Sequence, residues 1–153
     1  MELKTIPDSQ LIEEYQRRFI REEGEALNGV TESVSHFRGL LSDVESDLEH
    51  FAIVYLNQQN QVIHSKVLFT GTLNSSAVYP RELVKDVLKY EAAAVIICHN
   101  HPSGNVKPSG SDRTVTTKIK TALSSIDVEL LDHLILGNGS IEHFSFAEHH
   151  LIK

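Results

Sequence analysis

The chain has 153 residues, a length suited to one domain, and Leu, Ile, Val and Phe make up 48 of them, about 31%, well above the roughly 20% below which chains tend to stay disordered. Its formal charge of −7, from 14 Lys and Arg against 21 Asp and Glu with the 9 His neutral, repels phosphate backbones unless the basic residues gather on one face. The single cysteine, Cys98, excludes an internal disulfide framework, a four-thiolate zinc site and the His plus Cys-x-x-Cys site of nucleobase deaminases, and suits a reducing compartment.

Along the chain, apolar Leu11, Ile12, Tyr15, Phe19 and Ile20 recur at helical spacing after Asp8, a residue able to cap the helix. Gly24 and the pair Asn28 and Gly29 are expected to end it. Val30, Val34, Phe37, Leu41 and Val44 place a second helix over 31–44, with His36 and Arg38 on its polar side. The run FAIVYL in 50–56 reads as a buried strand, turning at 57–60 into a return strand over 61–69. Residues 71–78 form a loop of small polar residues, and Pro80 starts a helix carrying Leu83, Val84, Val87 and Leu88 inward. An apolar strand follows at 92–98, then a helix opened by Ser109, then a strand over 128–136 ended by Gly137, Asn138 and Gly139. Strands and helices alternate, so an α/β domain with one mostly buried sheet is expected. No apolar run approaches the roughly 18 residues of a membrane span, and the opening MELKTIPDSQ has no apolar signal core, so a cytoplasmic location is expected.

The chemistry concentrates in HNHPSGNVKPSGSD, residues 99–112. In an extended segment His99 and His101 project to one side, with Cys98 and Asn100 on the other. Pro102, Gly104 and Pro108 turn the chain, which brings Asp112, in the first turn of the next helix, back beside the pair. Two imidazoles and one carboxylate leave a position open on tetrahedral zinc, the catalytic rather than the structural arrangement. Ser109 and Asp112 also spell a helix-capping pattern, in which they satisfy free amides at the helix start. The chain's own residue frequencies produce HxHx7SxxD by accident only about 0.002 times, which favours a metal.

That string matches the JAMM signature of JAB/MPN domain metallopeptidases, and the sequence resembles their bacterial RadC-like branch. The resemblance is carried by LEHFAIVYLNQQNQVI (48–63), LFTGTLNSSAVYPREL (68–83), AAAVIICHNHPSG (92–104), LLDHLILG (130–137) and SFAEHHLI (145–152). It implies a JAB/MPN-type α/β fold, a mixed sheet flanked by helices, over 31–153, with 1–30 as an N-terminal helical extension. It implies one zinc on His99, His101 and Asp112, with Ser109 helping to hold the reacting oxygen and Glu49, in LEHF, acting as base. The expected reaction is cleavage of a peptide or isopeptide amide bond by metal-activated water.

A non-haem iron oxygenase also uses two His and a carboxylate, but its usual order is HxD or HxE with a distant His. A RadC-like binding or accessory protein in DNA metabolism is the main alternative. Residues 1–30 lack the Gly-x-Gly turn of a helix-hairpin-helix region, so nucleic-acid binding by this chain alone is not expected; the expected partner is a peptide or protein substrate. Asp132 and His133 read as a structural polar couple within an apolar strand, and Cys98 as core. Arg81 and Glu82 read as solvated, and His149 and His150 carry no role.

Overall fold

In the computed structural model, which describes residues 2–72 and 78–152, the apolar run lies in strand β1 (His50–Leu56), and all its residues are buried. A strand without polar alternation requires cover on both faces of its sheet. β1 pairs antiparallel with β2 (Val62–Thr70) on one side and β3 (Ala94–His101) on the other. β3 runs parallel to β4 (Glu129–Gly137), and β5 (His143–Ser145) lies antiparallel beyond it, giving the order β2-β1-β3-β4-β5. The β1–β2 turn is held by Asn57 Oδ1, which accepts from the amides of Gln59 and Gln61 at 2.9 Å each. A parallel pair needs a crossover, and α4 (Gly110–Ser124) supplies it between β3 and β4.

Side-chain alternation sorts the core into two layers. Phe51, Ile53, Tyr55, Ile97 and Ile135 pack with Leu83 and Val87 of α3 (Pro80–Tyr90) and with Val115 and Ile119 of α4. Ala52, Val54, Ile96, Cys98 and Leu134 pack on the other face with Phe37 of α2 (Gly29–Leu40). α1 (Asp8–Phe19) buries none of its residues and rests on α2. The architecture is the expected α/β one, a mixed sheet flanked by helices.

Several boundaries differ from the sequence periodicity. Asp8 is the first residue of α1 and not its cap; Pro7 takes that place, and the Asp8 carboxylate serves the helix dipole. α1 stops at Phe19 because Ile20 turns extended, with its side chain against Gly39 of α2. α2 ends at Leu40, short of 44, where the Ser42 hydroxyl donates to the Gly39 carbonyl at 2.7 Å and takes an acceptor that a longer helix would use. His36 is fully buried instead of lying on a polar side: its Nδ1 accepts from the Arg21 amide at 2.8 Å and its Nε2 lies 2.9 Å from Ser65 Oγ. β3 continues three residues past Cys98, since His99, Asn100 and His101 still pair with Ile135, Leu136 and Gly137. Most of the loop expected at 71–78 falls at 73–77, outside the described residues. Among the described residues no helix is long and apolar enough to cross a membrane.

Candidate metal centre

His99 belongs to the parity of Val95 and Ile97, which face α3 and α4, and His101 follows it on the same side. Asn100 turns the other way, where its Oδ1 accepts from the His50 amide at 2.7 Å and its Nδ2 donates to the Leu48 carbonyl at 2.8 Å. The chain then folds back: the Gly104 amide donates to the His101 carbonyl at 3.0 Å, with Gly104 at φ +85°, a conformation that disfavours any side chain. Asn105 then presents its carbonyl 2.7 Å from His101 Nδ1. Buried Pro108 leads into α4.

At the start of α4 the capping pattern is real. Ser109 Oγ accepts from the Asp112 amide at 3.0 Å, and Asp112 Oδ2 accepts from the Ser109 amide at 2.8 Å. The same carboxylate meets both imidazoles: Oδ1 lies 3.1 Å from His99 Nε2 and Oδ2 lies 3.2 Å from His101 Nε2. The two Nε2 atoms are 3.0 Å apart. The cap therefore also aims the Asp112 carboxylate at the two imidazoles.

The donor set fits one small divalent cation. Ligands at about 2.0–2.1 Å from a tetrahedral zinc stand about 3.3 Å from one another, close to the observed triangle. The Asn105 carbonyl can only accept, so a neutral His101 keeps its proton on Nδ1 and turns the lone pair of Nε2 inward. His99 and Asp112 are buried at 1% and 3% exposure while His101 is partly exposed, which leaves the site open on its side. The hydrogen bond with Asp112 raises the pKa of His101, and the charge of Glu49 adds to the rise. Burial pushes Asp112 up, but its bonds to His101 and His99 outweigh that and hold it far below the usual carboxylate range, so it stays anionic.

Glu49 is half-buried directly ahead of β1, and its carbonyl accepts from the Gly71 amide at 2.9 Å. Phe51 pairs with His99, so the antiparallel register carried two residues on sets Glu49 opposite His101. Ser109 is exposed at the mouth of the site. Cys98 is buried on the opposite face with its thiol pKa pushed up by burial, which makes it an inert core residue. His149 stacks on Phe144 with ring centroids 4.1 Å apart and is not among the three converging donors.

Asp132 and His133 are joined by a structural hydrogen bond through the His133 amide, as expected of a polar couple in the strand, while their side chains take separate partners. Asp132 accepts from the Ser145 hydroxyl at 2.6 Å and from the amides of Ala147 and His133 at 3.0 and 2.7 Å. Burial dominates and raises its pKa. His133 instead places Nε2 2.8 Å from His99 Nδ1 and Nδ1 2.6 Å from Thr116 Oγ1. Burial drives its pKa well below the usual histidine range, so it is neutral. Thr116 was legible in principle, because it stands one helical turn after Asp112.

Comparison with known proteins agrees with this architecture. The sequence profile of the RadC-like JAB domain matches residues 27–151. UPF0758 protein YfjY of Escherichia coli K12 is 43% identical over 135 residues, 88% of this chain and 82% of that protein. UPF0758 protein YeeS of the same strain is 50% identical over 104 residues, 68% of this chain and 69% of that protein. UPF0758 protein Shew185_0376 of Shewanella baltica is 54% identical over 100 residues, which cover 65% of this chain but only 44% of that longer protein. A profile match over the whole sheet and the segment 99–112, with relatives at this identity, shows that the chain belongs to the RadC-like JAB domain family.

Proposed function

We propose that the chain is a zinc-dependent metallohydrolase that cleaves a peptide or isopeptide amide bond. One observation carries this reading: His99 Nε2, His101 Nε2 and the Asp112 carboxylate converge at 3.0–3.2 Å, with His101 open to solvent. Zinc held by these three residues would supply Lewis-acid polarisation of a substrate carbonyl and bring the pKa of water to about 7. With three protein ligands instead of four, the side of His101 remains for substrate, as in catalytic sites.

The remaining work falls to two residues. Glu49, opposite His101 and electrostatically coupled to it, takes the proton of the attacking water on its carboxylate and returns it to the leaving amine nitrogen. Ser109 Oγ already accepts from the Asp112 amide, so its own proton is free to donate to the substrate oxygen as negative charge develops there. The substrate is a peptide or protein segment that approaches past the loop 102–108.

The test is Glu49→Gln, assayed by turnover of a peptide substrate selected from a library, beside zinc content and melting temperature. Full zinc, unchanged melting and a rate loss of about 100-fold or more are expected. Wild-type turnover would remove Glu49 as the base, and loss of zinc would make it a ligand.

A further inference from the structure

Three buried contacts run from one proposed ligand back to another. His99 Nδ1 lies 2.8 Å from His133 Nε2, His133 Nδ1 lies 2.6 Å from Thr116 Oγ1, and Thr116 Oγ1 lies 2.7 Å from the main-chain carbonyl of Asp112. All four residues are less than 5% exposed. The last contact fixes the direction of the rest. A carbonyl only accepts, so the single hydroxyl proton of Thr116 goes to Asp112, and the Thr116 oxygen must accept from His133. Neutral His133 then carries its proton on Nδ1 and offers a lone pair at Nε2. His99 must donate from Nδ1, which leaves its Nε2 without a proton, 3.1 Å from Asp112 Oδ1.

We propose that Thr116 and His133 are positioning residues for metal binding: they lock His99 in the tautomer that presents Nε2 as a ligand and tie it to the helix turn carrying Asp112. This rests on the reading of the centre given above. The competing tautomer would put a proton on His99 Nε2, donate it to Asp112 Oδ1 and close the centre to a cation. The chain of contacts selects against it. The His133 ring is held in place by stacking on Phe146, with centroids 4.7 Å apart and planes 13° apart, and by the edge contact of Phe51 at 6.2 Å. Histidine ligands commonly donate their second N–H to a carboxylate or carbonyl. Here the acceptor is a neutral imidazole, and a threonine one turn after Asp112 determines which of its nitrogens is free.

Thr116→Val keeps the shape and removes the hydroxyl. His133 Nδ1–H then has no acceptor, its proton is better placed on Nε2, and His99 is driven to the wrong tautomer. Zinc affinity, read by competition with a chelator, is expected to fall about 10- to 100-fold in Thr116→Val and to recover in Thr116→Ser. Long-range proton–nitrogen spectra of the wild type are expected to show both His99 and His133 protonated on Nδ1. Equal zinc affinity in Thr116→Val and wild type, or an equal loss in Thr116→Ser, overturns the proposal. If Thr116→Val does not fold, the wild-type spectrum decides, and a proton on His133 Nε2 overturns it. A wild type that binds no zinc removes the reading of the centre as well, whereas a wild type that binds zinc beside an unresponsive Thr116→Val removes only the positioning role.

Discussion

Asp112 shows how one carboxylate can serve the fold and the site together. Its Oδ2 accepts from the Ser109 amide while its two oxygens face His99 and His101. The two roles separate by mutation. Asparagine keeps an oxygen for the Ser109 amide but is a neutral ligand, so Asp112→Asn is expected to melt near wild type and to lose zinc, as calorimetry and elemental analysis would read. Ser109→Ala removes the acceptor for the Asp112 amide and should cost about 1 kcal/mol of stability, the usual worth of a helix cap, while all three ligands remain. At this scale the sequence was legible where chemistry lies within a few positions: HxH fixes two imidazoles on one side of a strand, and SxxD fixes a helix start. His133 was not legible, because its partner His99 lies 34 positions away and nothing local reveals which strand will lie beside β3. His36 misled for a related reason. One turn back along α2 stand the polar Glu32 and Ser33, yet β2 and the segment after α1 close over it.

Elements position the site through close approaches that leave no room for side chains. Gly137 pairs with His101 across the β3–β4 ladder, and a Cβ there would stand 2.5 Å from the Gly104 carbonyl oxygen and 3.2 Å from Val106 Cγ1. The Gly104 turn belongs to the loop whose Asn105 carbonyl fixes the tautomer of His101. Gly137→Ala is therefore expected to cost about 1–3 kcal/mol, the range of overpacking, and to weaken zinc binding by displacing Asn105; denaturant melts and chelator competition would read the two effects. Strands β1, β3 and β4 were legible because continuous buried runs of six or seven residues declare themselves. The strand β5 was not: it has three residues, and it is held by contacts that no local pattern encodes, chiefly the bonds from Ser145 and Ala147 to Asp132. Those bonds give a structural sense to the phrases LLDHLILG and SFAEHHLI, which meet at β4 and β5.

For the whole molecule, the clearest pH dependence away from the metal centre comes from His36. Burial lowers its pKa from 6.5 to about 4, with the charge of Arg21 adding to the shift. The folded state therefore favours the neutral ring, and the unfolded chain takes the proton first as pH falls. This contribution is complete above about pH 6.5 and is lost progressively down to about pH 4, amounting to about 3 kcal/mol by linkage. His36→Gln should be less stable at neutral pH and lose less stability between pH 6.5 and 4, which thermal melts across that window would show. A net charge of −7 further predicts weak binding to duplex DNA that disappears by physiological salt; a tight, salt-resistant complex in a binding titration would contradict it.

The central claim is that His99, His101 and Asp112 form a single metal site, and zinc stoichiometry tests it most directly. Elemental analysis of the purified chain after zinc loading and desalting should give one zinc per molecule, and the His99→Ala, Asp112→Asn double variant, folded by circular dichroism, should give none. Full zinc in the double variant would contradict the assignment.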